Sequence, residues 1–181
     1  MAEMTIRKIV ECDAFTEYKE LFSIRPPDLQ RKKYDDELQQ LQPEDGLIEF
    51  LYHEMEIIEA GSPPVSYDEF NGVNKYLWVI TEETVPLILE NGETGQKLTR
   101  NSVSHTNLTG GKDAYCGGEV WFDGSSNVIW ISGGSSRYRA RNKDELDKIA
   151  EWFSNCNYEV VNFGWDEDID GPVRLFRGRS R

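Results

Sequence analysis

Four side chains in the second half of the chain are of types that do chemistry together. His105, in Ser104-His105-Thr106-Asn107, is one of only two histidines in 181 residues. Glu119 heads an apolar run after a glycine pair (GGEVWF), and Arg137 and Tyr138 follow another pair. A carboxylate, an imidazole and a guanidinium are what a metal-independent ribonuclease needs. The carboxylate takes the 2′-hydroxyl proton, the imidazole protonates the leaving oxygen, and the guanidinium holds the phosphate. His, Tyr and Glu equally suit an NAD-consuming transferase, where His orients the nicotinamide ribose, Tyr stacks on nicotinamide and Glu binds a ribose hydroxyl. The spacing of 33 residues from His105 to Tyr138 fits that arrangement, although little chain follows for the usual distant Glu. Both chemistries stay open, and a lone strand histidine also reads as a hydrogen-bonded structural residue.

Three glycine pairs surround these residues: Gly110-Gly111, Gly117-Gly118 and Gly133-Gly134. Glycine inside or beside strands marks a bulge, a turn or a close backbone approach. With Thr106, Asn107 and Ser135, the pairs read as a wall whose amides face a ligand, or as plain turns. They match neither a phosphate-binding P-loop nor a dinucleotide fingerprint. Arg137, Arg139 and Arg141 alternate, so a strand would present them on one face, with Arg100 as a further candidate member, as a basic patch or a solvated edge. Asp166, Asp168 and Asp170 with Gly171 reproduce the first half of a calcium loop, but position twelve is Arg177 in place of the bidentate Glu. An acidic hairpin turn is the stronger reading, with weak calcium binding the other. His53 sits beside Glu54 with no second His, so no zinc-protease helix is expected and His53 reads as a surface residue. No cofactor is expected, and NAD enters only as a substrate.

These residues need a scaffold, and the apolar period supplies an α+β one. Residues 1–64 read as an acidic helical segment. A first helix over Glu11–Phe22 is stopped by Pro26-Pro27, a polar helix runs from Asp28 to about Leu41, and a third follows Pro43 with the stripe Leu47, Leu51, Met55 and Ile58. Gly61 and Ser62-Pro63-Pro64 then form a linker. Residues 65–181 read as a mostly antiparallel sheet with one packed helix. The runs 75–80 and 85–90 flank a TEET turn, Asn91-Gly92 leads into an extended stretch over 97–108, and 118–122 pairs with 127–132 around Asp123-Gly124-Ser125-Ser126. Asn142 caps a helix with Glu145 at its third position and Leu146, Ile149, Ala150 and Phe153 on its buried face. Strands over 158–165 and 173–177 complete the sheet.

Charge separates the two halves. The chain carries 20 Lys+Arg against 33 Asp+Glu, a net of −13. Residues 1–92 hold 8 basic and 20 acidic side chains, while residues 93–141 are net +2. A chain this acidic is repelled by phosphate backbones unless a local basic patch prevails. No apolar run is long enough for a membrane span, the first residues lack an apolar export core, and three cysteines without CxxC spacing fit a reducing cytoplasm.

The runs HTNLTGG, AYCGGEVWF and VIWISGGSSRY resemble a domain found in bacterial polymorphic-toxin C-termini and plant IQ-motif calmodulin-binding proteins. That family's pattern is approximately His-Ser-Ser, then Ala-Gly-Glu, then Ser-Gly-His-Tyr and a helix. His105 matches the first His, Gly118-Glu119 the Gly-Glu, and Ser136 and Tyr138 the Ser and Tyr. The resemblance covers roughly residues 75–160, including the hairpin before His105. It departs at Thr106-Asn107, which replace the serine pair, and at Arg137, which replaces the second His and removes a two-histidine mechanism. It implies a shared fold and site, with no reaction attached. Two function classes result. One is a toxin-type cytoplasmic enzyme acting on RNA or NAD through a pocket at His105. The other is a non-catalytic immunity-type or regulatory module whose acidic first half, with Asp35, Asp36 and Glu37, docks a basic protein partner.

Overall fold

Tyr76–Ile80 is apolar at all five positions because both of its faces are covered. In a computed structural model, which describes residues 6–30, 34–53, 58–65 and 72–175, this strand is β2 of a six-stranded sheet. The others are β1 (Ile48–Glu49), β3 (Pro86–Leu89), β4 (Cys116–Phe122), β5 (Val128–Ser132) and β6 (Glu159–Asn162), in the order β1-β3-β2-β4-β5-β6. All neighbours are antiparallel except β5 and β6, which run parallel because the chain returns through helix α3 (Lys143–Ser154) between them. The fold is α+β. A separate two-stranded hairpin joins β7 (Trp165–Asp166) to β8 (Gly171–Pro172). Among the described residues no helix is long and apolar enough to cross a membrane.

The strand period of two sorts the core into two layers. Tyr76, Trp78 and Ile80 face the larger one, with Val120 and Phe122 of β4 and Ile129 and Ile131 of β5. Helix α1 (Asp13–Leu21) and α3 cover this face with Phe15, Tyr18, Ile149, Trp152 and Phe153. Phe15 stacks on Trp152 at 4.8 Å, and the Trp152 indole donates to the Ile9 carbonyl at 2.9 Å. Leu77 and Val79 face the second layer, which is built from turns: Leu41, Leu98, Val103, Leu108, Ala114 and Tyr138 close it without a long helix.

The elements follow the sequence pattern where the pattern is local. The first helix, both hairpins and the Asn142-capped helix form where expected, with Asn142 Oδ1 accepting from the Glu145 amide at 2.9 Å. Four stretches differ. Residues 46–53 are not helical: Gly46, at φ +96°, ends a single 3-10 turn over Pro43–Asp45, and Ile48–Glu49 then pairs with Leu87 and Pro86 as the edge strand. A cross-strand partner outside the segment thus overrides the apolar stripe of Leu47 and Leu51; Met55 lies outside the described residues. The expected helix over 28–41 is only a turn at Asp35–Leu38, with 31–33 outside the described residues. The expected extended stretch 97–108 holds turns and a 3-10 turn over His105–Leu108, preceded by a short helix α2 (Glu93–Gln96). The chain after Gly171-Pro172 is not strand as far as residue 175, and 176–177 lie outside the described residues.

Glu145 joins the helical layer to the rest. Its side chain has no exposed surface, yet its oxygens accept from Tyr18 Oη at 2.7 Å, Arg141 Nη1 at 2.7 Å and the Arg141 amide at 2.7 Å. Burial, then the adjoining Cys116 and Glu145, push the Tyr18 phenol far above its ordinary pKa, so it stays a donor. Removing one partner of a buried ion pair leaves an uncompensated charge, which costs about 3–5 kcal/mol. Glu145→Ala is expected to lower the unfolding free energy by that amount in urea titration. Tyr18→Phe, which deletes one hydrogen bond to a charged group, is expected to cost about 1.5–3 kcal/mol.

Candidate functional site

The sheet register brings three polar side chains to one end of its second face. Glu119 pairs with Leu77 on one side and with Ser132 on the other, and Lys75 lies two residues before Leu77 on the same face. Lys75 Nζ lies 2.7 Å from Glu90 and 3.1 Å from Glu119, Ser132 Oγ donates to the second Glu119 oxygen at 2.8 Å, and Arg100 approaches Glu90 at 3.4 Å. The result is a row of alternating charge along one wall of a cleft of about 860 Å³. Burial works to lower the Lys75 pKa, but attraction to Glu119 and Glu90 prevails and holds the ammonium above its ordinary value. The Glu119 carboxylate, 20% exposed, is more open to the cleft than Lys75 at 7%.

His105 opens the 3-10 turn whose start is closed by the Ser104 amide donating to Asn107 Oδ1 at 2.9 Å. Its Nε2 lies 2.9 Å from the Gly118 carbonyl, and a carbonyl only accepts, so Nε2 carries the ring proton and Nδ1 is left an acceptor. The ring fits because residue 117 is glycine: a Cβ there would meet His105 Cδ2 at 3.0 Å. Burial pulls the His105 pKa down to about 4, against the raising effects of the Gly118 carbonyl and Glu119. At neutral pH the imidazole is therefore uncharged, and its one proton is committed to the backbone. It can accept a hydrogen bond but has no proton ready for a leaving group.

The cleft gathers His105, Glu119, Gly133, Gly134, Ser135 and Arg137 from the expected set. Arg137 reaches it as a structural clamp: its guanidinium donates to buried Glu37 at 3.1 Å and to the Asp28 carbonyl at 3.0 Å. Ser135 Oγ accepts from the Tyr138 amide, and a Cβ on Gly134 would come within 2.9 Å of the Glu119 carboxyl carbon. Other expected residues lie elsewhere. Tyr138 is buried in the second core layer, its hydroxyl 2.6 Å from Thr109 Oγ1 and donating to the Lys112 carbonyl at 2.7 Å. Asn107 ties down the neighbouring turn by donating to the Asp36 and Gln39 carbonyls, and the buried Thr106 hydroxyl has no partner among the described residues. Gly110 and Gly111, both at positive φ, pack under Gln40 and Leu38. Gly118 is glycine because the Trp78 indole crosses it, 2.3 Å from where a Cβ would stand.

The charged motifs resolve locally. Residues 135–141 form no strand, so the three arginines share no face: Arg137 clamps Glu37, Arg139 donates to the Asp170 carbonyl, and Arg141 serves Glu145. Asp166–Asp170 forms the β7–β8 turn, where Asp166 Oδ1 accepts from the Asp168 amide and Asp170 Oδ1 from the Trp165 indole. No group of three potential metal ligands exists among the described residues. Sequence reasoning missed Lys75, Glu90 and Ser132. The available signal was a charge at each end of an otherwise apolar run, which a buried sheet tolerates only where the charges meet.

Between pH 6.5 and 4 the unfolded chain protonates His105 while the folded protein does not, so this group removes stability as pH falls through that window. The full loss is roughly 3 kcal/mol at 1.4 kcal/mol per pH unit. Urea titrations over pH 7 to 4 are expected to show that slope in the parent protein and a flatter one in His105→Gln. A His105→Gln slope equal to the parent's would contradict the assignment. No protein-family profile, curated protein or solved structure matches this chain.

Proposed function

We propose that the protein binds a small nucleotide-class ligand, of which NAD is one example, in the cleft at His105. The observation that carries this reading is the meeting of His105, Glu119 and Ser132 on one wall of a cleft that is locally cationic. Among its described lining residues are six Lys or Arg and four Asp or Glu, in a chain of net −13. A small anion feels the near charges of a cleft, whereas a polyanion such as RNA also meets the long-range field of the whole acidic molecule. The cleft volume falls within the range of small-molecule sites. Glu119 and the Nδ1 atom of His105 are acceptors suited to ribose hydroxyls, and Trp121 adds apolar lining.

The reading is one of binding. RNA cleavage by imidazole acid catalysis draws no support from a neutral His105 whose proton is committed to Gly118. Nicotinamide stacking draws none from a Tyr138 buried in the core. Docking of a basic partner through Asp35, Asp36 and Glu37 is weakened because Asp36 accepts from Thr99 and Glu37 is buried against Arg137.

Titration with NAD, ADP-ribose and AMP, followed by the His105 ring resonances and tryptophan fluorescence, tests the proposal. Saturable shifts of His105 are expected. Glu119→Gln and His105→Ala should each weaken binding about tenfold, the loss of about one hydrogen bond. The affinity should stay flat between pH 5.5 and 8.5 as far as His105 is concerned. Silence of the His105 resonances toward all three compounds, in a folded protein, would overturn it.

A further inference from the structure

Three arginines lining the cleft, Arg25, Arg139 and the exposed Arg174, have no carboxylate partner among the described residues, and the first two are the ones the fold holds in place. Lys75, Arg100 and Arg137 each face a glutamate, so their charges are neutralised within the protein. Arg25 and Arg139 form no ion pair among the described residues. Arg139 spends one donor on the Asp170 carbonyl at 2.5 Å. Arg25 Nη2 is buried and has no hydrogen-bond partner among the described residues. A guanidinium stays charged at any ordinary pH, and a buried donor left unpaired is costly, so an orphan of this kind calls for an acceptor.

The backbone around both arginines is held firmly. Arg25 is locked to Ala114 by two hydrogen bonds, its amide to the Ala114 carbonyl at 2.9 Å and the Ala114 amide to its own carbonyl at 3.0 Å. Pro26 and Pro27 restrict the next two residues, and the Asp28 amide then donates to the Arg137 carbonyl at 2.8 Å. The strap is thus pinned on both sides of the prolines, with Ile24 packed against the larger core and Arg25 lining the cleft. Arg139 lies in the segment to which the strap is pinned. Its guanidinium occupies space that only a glycine at 171 leaves free, since a Cβ there would overlap Arg139 Nη2.

We propose that Arg25 and Arg139 form an oxyanion site that takes the phosphate group of the ligand. The assignment rests on the cleft being a nucleotide-class site and specifies which part of the ligand goes where. Two planar guanidinium forks match the several acceptor oxygens of a phosphate, and neither fork meets a carboxylate among the described residues. Glu119 and His105 are left for the uncharged, hydroxyl-bearing part.

Calorimetric titration of the full chain with inorganic pyrophosphate tests this. The parent protein is expected to bind it, more weakly as salt rises. Arg25→Gln and Arg139→Gln should each weaken binding at least tenfold, while exposed Lys143→Gln changes it less than twofold. Arg25→Lys, which keeps the charge but loses the fork, should fall between, and with Arg139→Gln it keeps the test decisive should Arg25→Gln fail to fold. No pyrophosphate binding by the parent, or equal affinity in Arg139→Gln and Arg25→Lys, would overturn the assignment. Adenosine separates this from the wider reading. If adenosine or ADP-ribose moves the His105 resonances while pyrophosphate does not bind, the cleft reading stands and the arginine site falls. If pyrophosphate binds through the arginines while no nucleotide reaches His105, the oxyanion site stands and the nucleotide reading falls.

Discussion

The Glu145 carboxylate, shut away from water at the head of α3, sets the position of every element around it. Its two oxygens take hydrogen bonds from α1 through Tyr18 and from both the side chain and the amide of Arg141. Arg141 in turn donates to the carbonyls of Ser23 and Tyr115, so one anion fixes a helix, the start of the Arg25 strap and the approach to β4. A buried charge of this kind adds little net stability, because desolvation offsets the attraction. What it contributes is register. Arrangements that leave the carboxylate unpaired are penalised far more than those that merely misplace an apolar side chain, so the helical layer and the cleft wall have one relative position.

A second constraint operates on the opposite face of the sheet. Lys75 can be buried only because Glu90 and Glu119 flank it, and each carboxylate is buried only because a cation or hydroxyl reaches its other side. The row is neutral within itself and holds Glu119 in one orientation, with Gly134 allowing the close approach. A charged wall inside an acidic protein is thus compatible with a cleft whose sum of charge has the opposite sign to the whole.

Legibility of this fold in its sequence followed the range of the interactions responsible. The hairpin at Asp123–Ser126 and the helix behind Asn142 were readable because turn chemistry and capping act over three or four residues. Residues 46–53 misled because Leu47 and Leu51 carry a helical spacing, while the deciding partners, Leu87 and Pro86, lie almost forty residues on. The glycine pairs read from sequence as a ligand-facing wall or as plain turns; what stands close to them is protein: the Trp78 indole at Gly118, Pro172 at Gly133 and the Glu119 carboxylate at Gly134. His105 and Glu119 could be singled out by type alone. Their meeting depends on the pairing of β2, β4 and β5, and Tyr138 points away because the 135–141 segment does not continue as a strand.

The double burial of β2 also bears on how the chain behaves before it is folded. A five-residue stretch of Tyr, Leu, Trp, Val and Ile with no charge of its own is the kind of segment that pairs with copies of itself when exposed, and β3 next to it is scarcely less apolar. Both are bracketed: Lys75 precedes β2, Glu82 and Glu83 stand exposed in the turn, Pro86 opens β3 and Glu90 closes it. Charges and proline at these borders disfavour stacking of like strands between molecules. Lys75 and Glu90 therefore serve twice, guarding the nascent chain against self-association and then, once the sheet closes, meeting each other inside it.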